Sequence, residues 1–175
     1  DALRSERLVF LPLDVWCPPL ARLLARRELL GVRNSGHTAC KLMHPFIGGT
    51  TPSLMLVPVT HAEYVPRATE LLTDAGTTAL VFRGVDGEPA LYPHALRNVW
   101  RVRRGAVDEL TLTPDVTPDP AIELDKDASA EAVAHWSAEV AAGRRAMPQM
   151  AARLIALARS MVDPSQDPVP QENRQ

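Results

Sequence analysis

A run of basic side chains recurs at helical spacing within residues 31–45. Arg33, His37, Lys41 and His44 lie four, four and three positions apart. Residues at these spacings fall on one face of an α-helix, so a helix here would carry its cationic side chains in a single stripe. Such a stripe can hold the oxygens of a phosphate group or of another anion.

Asn34 and Ser35 stand where this helix would begin. We expect one of them to cap it, and we expect the helix to end near His44 because Pro45 follows. The backbone N–H groups at such a start favour an anion. An open alternative is a solvent-exposed face whose cations bind nothing. A metal ion between His37 and His44 is not expected, because residues seven apart lie two turns apart.

A second basic segment interleaves arginine with tryptophan. It contains Arg97, Trp100, Arg101, Arg103 and Arg104. Guanidinium groups can contact phosphates, and an indole ring offers a surface on which a base can stack. On a strand, Arg97, Arg101 and Arg103 would share one side, while Trp100 and Arg104 would share the other. The alternative is an edge strand whose charges discourage pairing with another chain.

The net charge of −2 hides three blocks of charge along the chain. Residues 1–44 contain seven Lys or Arg against four Asp or Glu, and residues 83–104 contain five against two. Residues 105–131 contain eight acids and one lysine. The near-neutral total excludes a uniformly basic nucleic-acid-binding protein, but it leaves a local basic surface open.

The elements that position these residues indicate an α/β fold. Apolar runs of strand length at residues 8–11, 54–57 and 79–82 are separated by helical patterns at 18–30 and 60–75. Each run is apolar on both faces, which is typical of parallel strands covered by helices. We therefore predict a mainly parallel sheet flanked by helices.

The remaining chain adds two helices at residues 129–142 and 149–161, followed by a proline-rich segment at 163–175 that we expect to be disordered. No apolar run reaches the roughly 18–20 residues that span a bilayer, so no membrane contact is expected. Two cysteines are too few for a disulfide framework, which favours a cytoplasmic protein. Because the chain starts at Asp1 rather than at Met, we expect it to be a piece of a longer protein.

The segment from Gly31 resembles the anthranilate phosphoribosyltransferase family, within the glycosyltransferase family that includes pyrimidine nucleoside phosphorylases. That family has a Gly-Val/Ile-Arg-Thr-x-x-Asn-x-x-Gly-Pro-x-x-Asn-Pro stretch, which Gly31, Val32, Arg33 and Pro45 match in register. The order of predicted elements also resembles the C-terminal half of the family. The resemblance implies that residues 1–162 form the C-terminal part of the catalytic domain. The first strands, and the helical domain that makes a homodimer, would then lie outside this chain.

The enzymes of this family suggest one possible function. Their arginine in this stretch contacts the acceptor, and an adjacent Asp-Glu pair shortly after Asp-Gly holds magnesium on phosphoribosyl diphosphate. Here Glu88 follows Asp86-Gly87 and no second acid stands beside it. An active phosphoribosyltransferase would thus use Arg33 for an altered acceptor pocket and Asp86 or Glu88 for magnesium.

A diverged branch of the family resembles the sequence more closely. Its members carry Gly-Val-Arg-Asn-Ser-x-His-Thr and bind nucleic acid as dimers without sequence preference, and residues 31–38 here read Gly-Val-Arg-Asn-Ser-Gly-His-Thr. This resemblance implies a protein without transferase activity or cofactor that binds single- or double-stranded nucleic acid. The phosphate contacts would come from Arg33, Asn34, Ser35, His37, Lys41 and His44, and from Arg101, Arg103 and Arg104. Transferase activity is the alternative.

Overall fold

The computed structural model describes residues 9–32, 34–46, 52–103, 105–115, 119, 121 and 128–163, except the side chain of Asp86. The chain divides into two compact units, Asp1–Pro45 (unit 1) and Phe46–Gln175 (unit 2). The predicted disordered tail lies outside the described residues from residue 164 onward. No helix in the described part of the chain is long and apolar enough to cross a membrane.

Unit 1 is helical. It contains α1 (Leu13–Trp16), α2 (Pro18–Leu30), α3 (Gly36–Ala39) and a 3-10 turn (Cys40–Leu42). The predicted bounds of α2 are confirmed. Proline is favoured in the first turn of a helix, where its missing N–H costs no hydrogen bond. Gly31 ends α2 in the left-handed conformation (φ 68°), which a residue without a Cβ adopts freely.

The strand predicted at residues 8–11 is not present in the described residues. Val9, Phe10 and Leu11 form no regular structure and are exposed, Phe10 at 86%. Leu8 lies outside the described residues. A strand needs a neighbour for its backbone hydrogen bonds, and the described part of unit 1 contains no other strand. The apolar composition of this segment therefore did not suffice to make it a strand.

Unit 2 is built on a sheet of four described strands. These are β1 (Met55–Val59), β2 (Ala79–Arg83), β3 (Arg97–Arg103) and β4 (Ala106–Leu112), in the order β1-β2-β3-β4. β1 pairs parallel with β2, whereas β2 with β3 and β3 with β4 pair antiparallel. β3 is therefore an interior strand of this sheet and not the charged edge strand considered above.

The α/β class is confirmed, but parallel pairing does not dominate the described sheet. A parallel pair needs a crossover connection, and α4 (Tyr64–Asp74) supplies it between β1 and β2. The link from β2 to β3 contains a 3-10 turn (Val85–Gly87) and no α-helix that could serve as a crossover. The β3–β4 link is a hairpin turn that contains Gly105 at φ 74°. The later strands therefore return antiparallel.

Helices bury both faces of this sheet. α6 (Gln149–Val162) packs on the face of Leu80, Phe82 and Val99 through Met150, Leu154, Leu157 and Met161. The other face buries Val57, Val81 and Val102. α4 contacts β2, β3 and β4 and buries Val65, Ala68 and Leu72. We assign α4 to that second face because its residues are absent from the cluster under α6.

The last two helices also match the sequence pattern. α5 (Ala130–Ala141) begins after Ser129, whose hydroxyl accepts a hydrogen bond from the backbone N–H of Ala132 at 3.2 Å. α6 begins after Pro148. α5 has no buried residue, so only partly buried side chains hold it in place.

Asp119 holds the start of α6. Its buried carboxylate accepts hydrogen bonds from the backbone N–H of Gln149 at 2.6 Å and of Ala121 at 2.9 Å. Burial raises the pKa of this carboxyl. The hydrogen bonds from Ala121 and Gln149, together with the charge of His94, lower the pKa by a larger amount, so it lies below its ordinary value. The ionised form therefore stabilises the fold.

We predict that Asp119→Asn lowers the free energy of unfolding at neutral pH by about 1–3 kcal/mol, because charge-assisted hydrogen bonds to buried N–H groups are weakened. A carboxyl whose pKa is depressed on folding stabilises the protein fully above its unfolded pKa, near 4. That stabilisation is lost as the pH falls through the folded pKa. Urea denaturation between pH 7 and pH 2.5 measures both effects, and an equal acid dependence in wild type and variant would contradict the assignment.

Candidate functional site

The side chain of Asn34 fastens the predicted anion-binding segment to α2. Its Nδ2 donates a hydrogen bond to the carbonyl oxygen of Leu23 at 2.8 Å, and its Oδ1 accepts one from the backbone N–H of Gly36 at 2.9 Å. The amide thus joins a carbonyl in the middle of one helix to the first N–H of the next. Asn34 is half-buried, so its main observed role is to position the segment.

Gly36 lies close against α2. A Cβ at this position would stand 2.8 Å from Oδ1 of Asn34 and 3.1 and 3.2 Å from the side chains of Leu24 and Leu20. Any larger residue would push the turn away from the helix and strain the hydrogen bond of Asn34. Close packing explains the glycine at this position, because the backbone of Gly36 is buried on two leucines.

The helix predicted over residues 34–44 is broken into two short pieces. α3 holds a single α-helical turn, the 3-10 turn follows it, and Met43 is extended (φ −79°, ψ 125°). Pro45 disfavours the α conformation at the residue before it, so the helix cannot continue through His44. His37 and Lys41 are still four residues apart in helical backbone. His44 lies beyond the break and does not extend their stripe.

The remaining predicted residues of this segment divide into two groups. His37 is half-buried, and its Nδ1 lies 3.2 Å from the carbonyl oxygen of Asn34. Lys41 and His44 are also half-buried, whereas Ser35 is exposed and its side chain makes no capping hydrogen bond. Arg33, the first residue of the predicted stripe, lies outside the described residues.

The second basic segment is β3, and its alternation of faces is as predicted. Arg101 lies on the face covered by α6, opposite Asp108 of β4, and the two side chains form an ion pair. The side chain of Arg101 is 11% exposed. Arg97 stacks on the ring of Tyr92, with its guanidinium carbon 4.5 Å from the ring centre. These contacts make Arg101 part of the sheet rather than an open phosphate ligand.

Trp100 points to the other face and is held by a polar network. Its indole N–H donates a hydrogen bond to Glu109, which also accepts one from Asn98. Thr111 donates a further hydrogen bond to Asn98 at 3.1 Å. The indole is thus fixed next to a carboxylate, which repels phosphate. Arg103 is half-buried, and Arg104 lies outside the described residues.

The acids opposite β3 were not recognised in the sequence as partners of its basic residues. Asp108 and Glu109 face Arg101 and Trp100 because the hairpin register pairs residues seven and nine positions apart. The sequence signal that could have revealed these pairs is the hairpin turn at Gly105. Sequence reasoning also left out Arg22, Arg26 and Arg27, which are exposed on α2 and form no ion pair with any acid of the described residues.

The predicted magnesium ligands follow β2. Residues 85–87 form a 3-10 turn, and Glu88 after it is exposed. Gly84 is pressed against the backbone of Glu88, so that a Cβ there would lie 2.0 Å from the carbonyl oxygen of Glu88. The side chain of Asp86 lies outside the described structure. Among the described side chains, no group of three or more His, Cys, Asp or Glu residues could hold a metal ion.

Sequence comparison gives the relatives of this chain. It is 35% identical over 159 residues to the uncharacterized protein YbiB of Escherichia coli (strain K12), an alignment that covers 88% of this chain and 48% of YbiB. It is 30% identical over 142 residues to the anthranilate phosphoribosyltransferase of Leifsonia xyli subsp. xyli (strain CTCB07), covering 81% of this chain and 39% of that enzyme.

The enzyme of the same name from Streptomyces griseus subsp. griseus is 32% identical over 117 residues, covering 67% of this chain and 31% of that protein. The chain belongs to the anthranilate phosphoribosyltransferase-like family. The matches to the transferases fall in their C-terminal part, and the chain spans about half the length of YbiB. No protein-family model matches it. The motif that suggested the resemblance lies in the segment that Asn34 and Gly36 hold on α2.

We predict that Asn34→Ala lowers the free energy of unfolding of unit 1 by about 1 kcal/mol, because two hydrogen bonds are lost at a partly solvated site. Asn34→Asp keeps the acceptor for Gly36 but not the donor to Leu23, so it should fall between Ala and the wild type. Amide hydrogen exchange at Gly36 measures the loss locally. Unchanged exchange at Gly36 in Asn34→Ala would contradict the positioning role.

Proposed function

We propose that this family member has no transferase activity and binds nucleic acid without sequence preference, by contacting the phosphates of the nucleic acid. The resemblance of residues 31–38 to the nucleic-acid-binding branch supports the proposal. So does the charge of unit 1, where seven Lys or Arg stand against four Asp or Glu. Contacts to phosphates carry no information about base sequence, so a site made of them is non-specific.

The observation that carries the proposal is a difference between arginines that are ion-paired in unit 2 and the arginines of α2 in unit 1. In unit 2, Arg101 pairs with Asp108, and Arg144 and Arg153 pair with Glu139 and Asp115. In unit 1, the arginines of α2 are exposed and pair with no described acid. A guanidinium already neutralised by a carboxylate gains little from a phosphate, whereas an unpaired one is available for it.

The residues of the segment have two roles in the proposed binding: some position the turn and others contact phosphate. Asn34 and Gly36 hold the turn on α2, which fixes the backbone that carries His37 and Lys41. The cationic side chains then contact phosphate oxygens. Arg33 and Lys41 supply the contacts at neutral pH.

An active transferase is the second candidate, and the identity of about 30% to proteins named anthranilate phosphoribosyltransferase favours it. Magnesium on a diphosphate needs only one or two protein carboxylates, so Asp86 and Glu88 fit it in number. The ion would neutralise charge on the leaving diphosphate. Arg33 would bind the acceptor. Dimerisation and a cytoplasmic location are predictions in both cases.

We predict that the chain binds a fluorescent single-stranded oligonucleotide with an affinity that falls steeply with salt, because each neutralised phosphate releases counterions. Fluorescence anisotropy at 50 and 200 mM salt measures this. Arg33→Ala combined with Lys41→Ala removes two contacts and should reduce the slope of log K against log salt by about 1.4. A duplex arm tests whether binding extends to double strands.

The matched control is Arg67→Ala combined with Arg159→Ala, which removes the same charge from exposed positions of unit 2. An equal loss in the control would mean that net charge alone drives binding. Absence of oligonucleotide binding at 50 mM salt, together with magnesium-dependent binding of phosphoribosyl diphosphate, would replace the proposal by the transferase.

A further inference from the structure

The three arginines of α2 differ in the side of the helix on which they lie. Leu20 and Leu24 meet the turn at Gly36, which marks the side of α2 that carries the predicted site. Arg27 follows Leu20 by seven residues and Leu24 by three, so it lies on the same stripe. Arg22 stands two residues from each leucine, which places it on the opposite side.

The direction of the side chains brings Arg27 toward the turn. Side chains of an α-helix lean toward its N-terminus, so the side chain of Arg27 extends from the last turn of α2 back in the direction of Leu24. Asn34 is fastened to the carbonyl of Leu23, one turn before Arg27. Arg27 is exposed and has no ion pair with a described acid, so its guanidinium is available to a ligand at this turn.

From this placement we propose that Arg27 is a further phosphate contact of the nucleic-acid site, on the side of α2 that meets the turn at Gly36. The proposal rests on the proposed function. It also divides α2 into a binding side with Arg27 and a non-binding side with Arg22. Only the packing of the turn on Leu20 and Leu24 shows which side of α2 faces the site. The sequence pattern therefore did not distinguish Arg27 from Arg22.

The test compares Arg27→Ala with Arg22→Ala in the oligonucleotide assay. Both changes remove one unpaired, exposed charge from the same helix, so they are matched in net charge. We expect Arg27→Ala to raise Kd about fivefold at 0.1 M salt and to reduce the salt slope by about 0.7, the value of one single-strand phosphate contact. Arg22→Ala should leave both unchanged. Arg27→Lys should restore most of the affinity, because a phosphate contact needs the charge rather than the shape.

Arg27 also lies in the last turn of α2, where a positive charge stabilises the helix dipole. Thermal melting by circular dichroism is therefore recorded for every variant. A wild type that binds together with an Arg27→Ala variant of unchanged slope overturns the proposal and leaves the proposed function intact. Equal losses in Arg22→Ala and Arg27→Ala overturn it as well, since they would reflect net charge. A wild type that does not bind the oligonucleotide overturns both.

Discussion

The two hydrogen bonds of the Asn34 side chain are the constraint on which the candidate site depends. They connect the carbonyl of Leu23 with the N–H of Gly36 across the reversal at Gly31. The short helical pieces that follow contain too few residues to be stable alone, since isolated helices of this length are marginal in water. Their place is set by the fastening of Asn34 and by the packing of Gly36 on two leucines. Without this connection, the cationic side chains of the segment would have no fixed geometry.

In the sheet of unit 2, an arginine is paired with a carboxylate of the neighbouring strand. The hairpin at Gly105 places Asp108 opposite Arg101, so the charge on β3 is compensated within the sheet. The acids at residues 108 and 109 are therefore the polar partners of Arg101 and Trp100. A pair of half-buried opposite charges adds little to stability, but it allows an arginine to lie on a face that also carries Val99 and Leu80.

Much of the architecture could be predicted from the sequence. Pro18 and Gly31 bound α2 because both residues act through their own backbone restrictions. The apolar run before Arg83 became β2, fully buried from Ala79 to Phe82. The predictions failed where a neighbour decides the outcome. Val9 to Leu11 have strand composition but no described strand beside them, and residues 34–44 have helical spacing but break at Met43.

The sequence by itself determined the types of the main elements, the asymmetry of charge and the motif at residues 31–38, because these follow from local backbone preferences and from composition. The tertiary structure alone decided which basic residues are available. Arg101 is compensated because the β3–β4 register brings an acid against it. Asn34 became a fastening residue because α2 presents the carbonyl of Leu23 to it. Arg27 and Arg22 lie on different sides of one helix, and only the packing of Gly36 against Leu20 and Leu24 shows which side meets the turn.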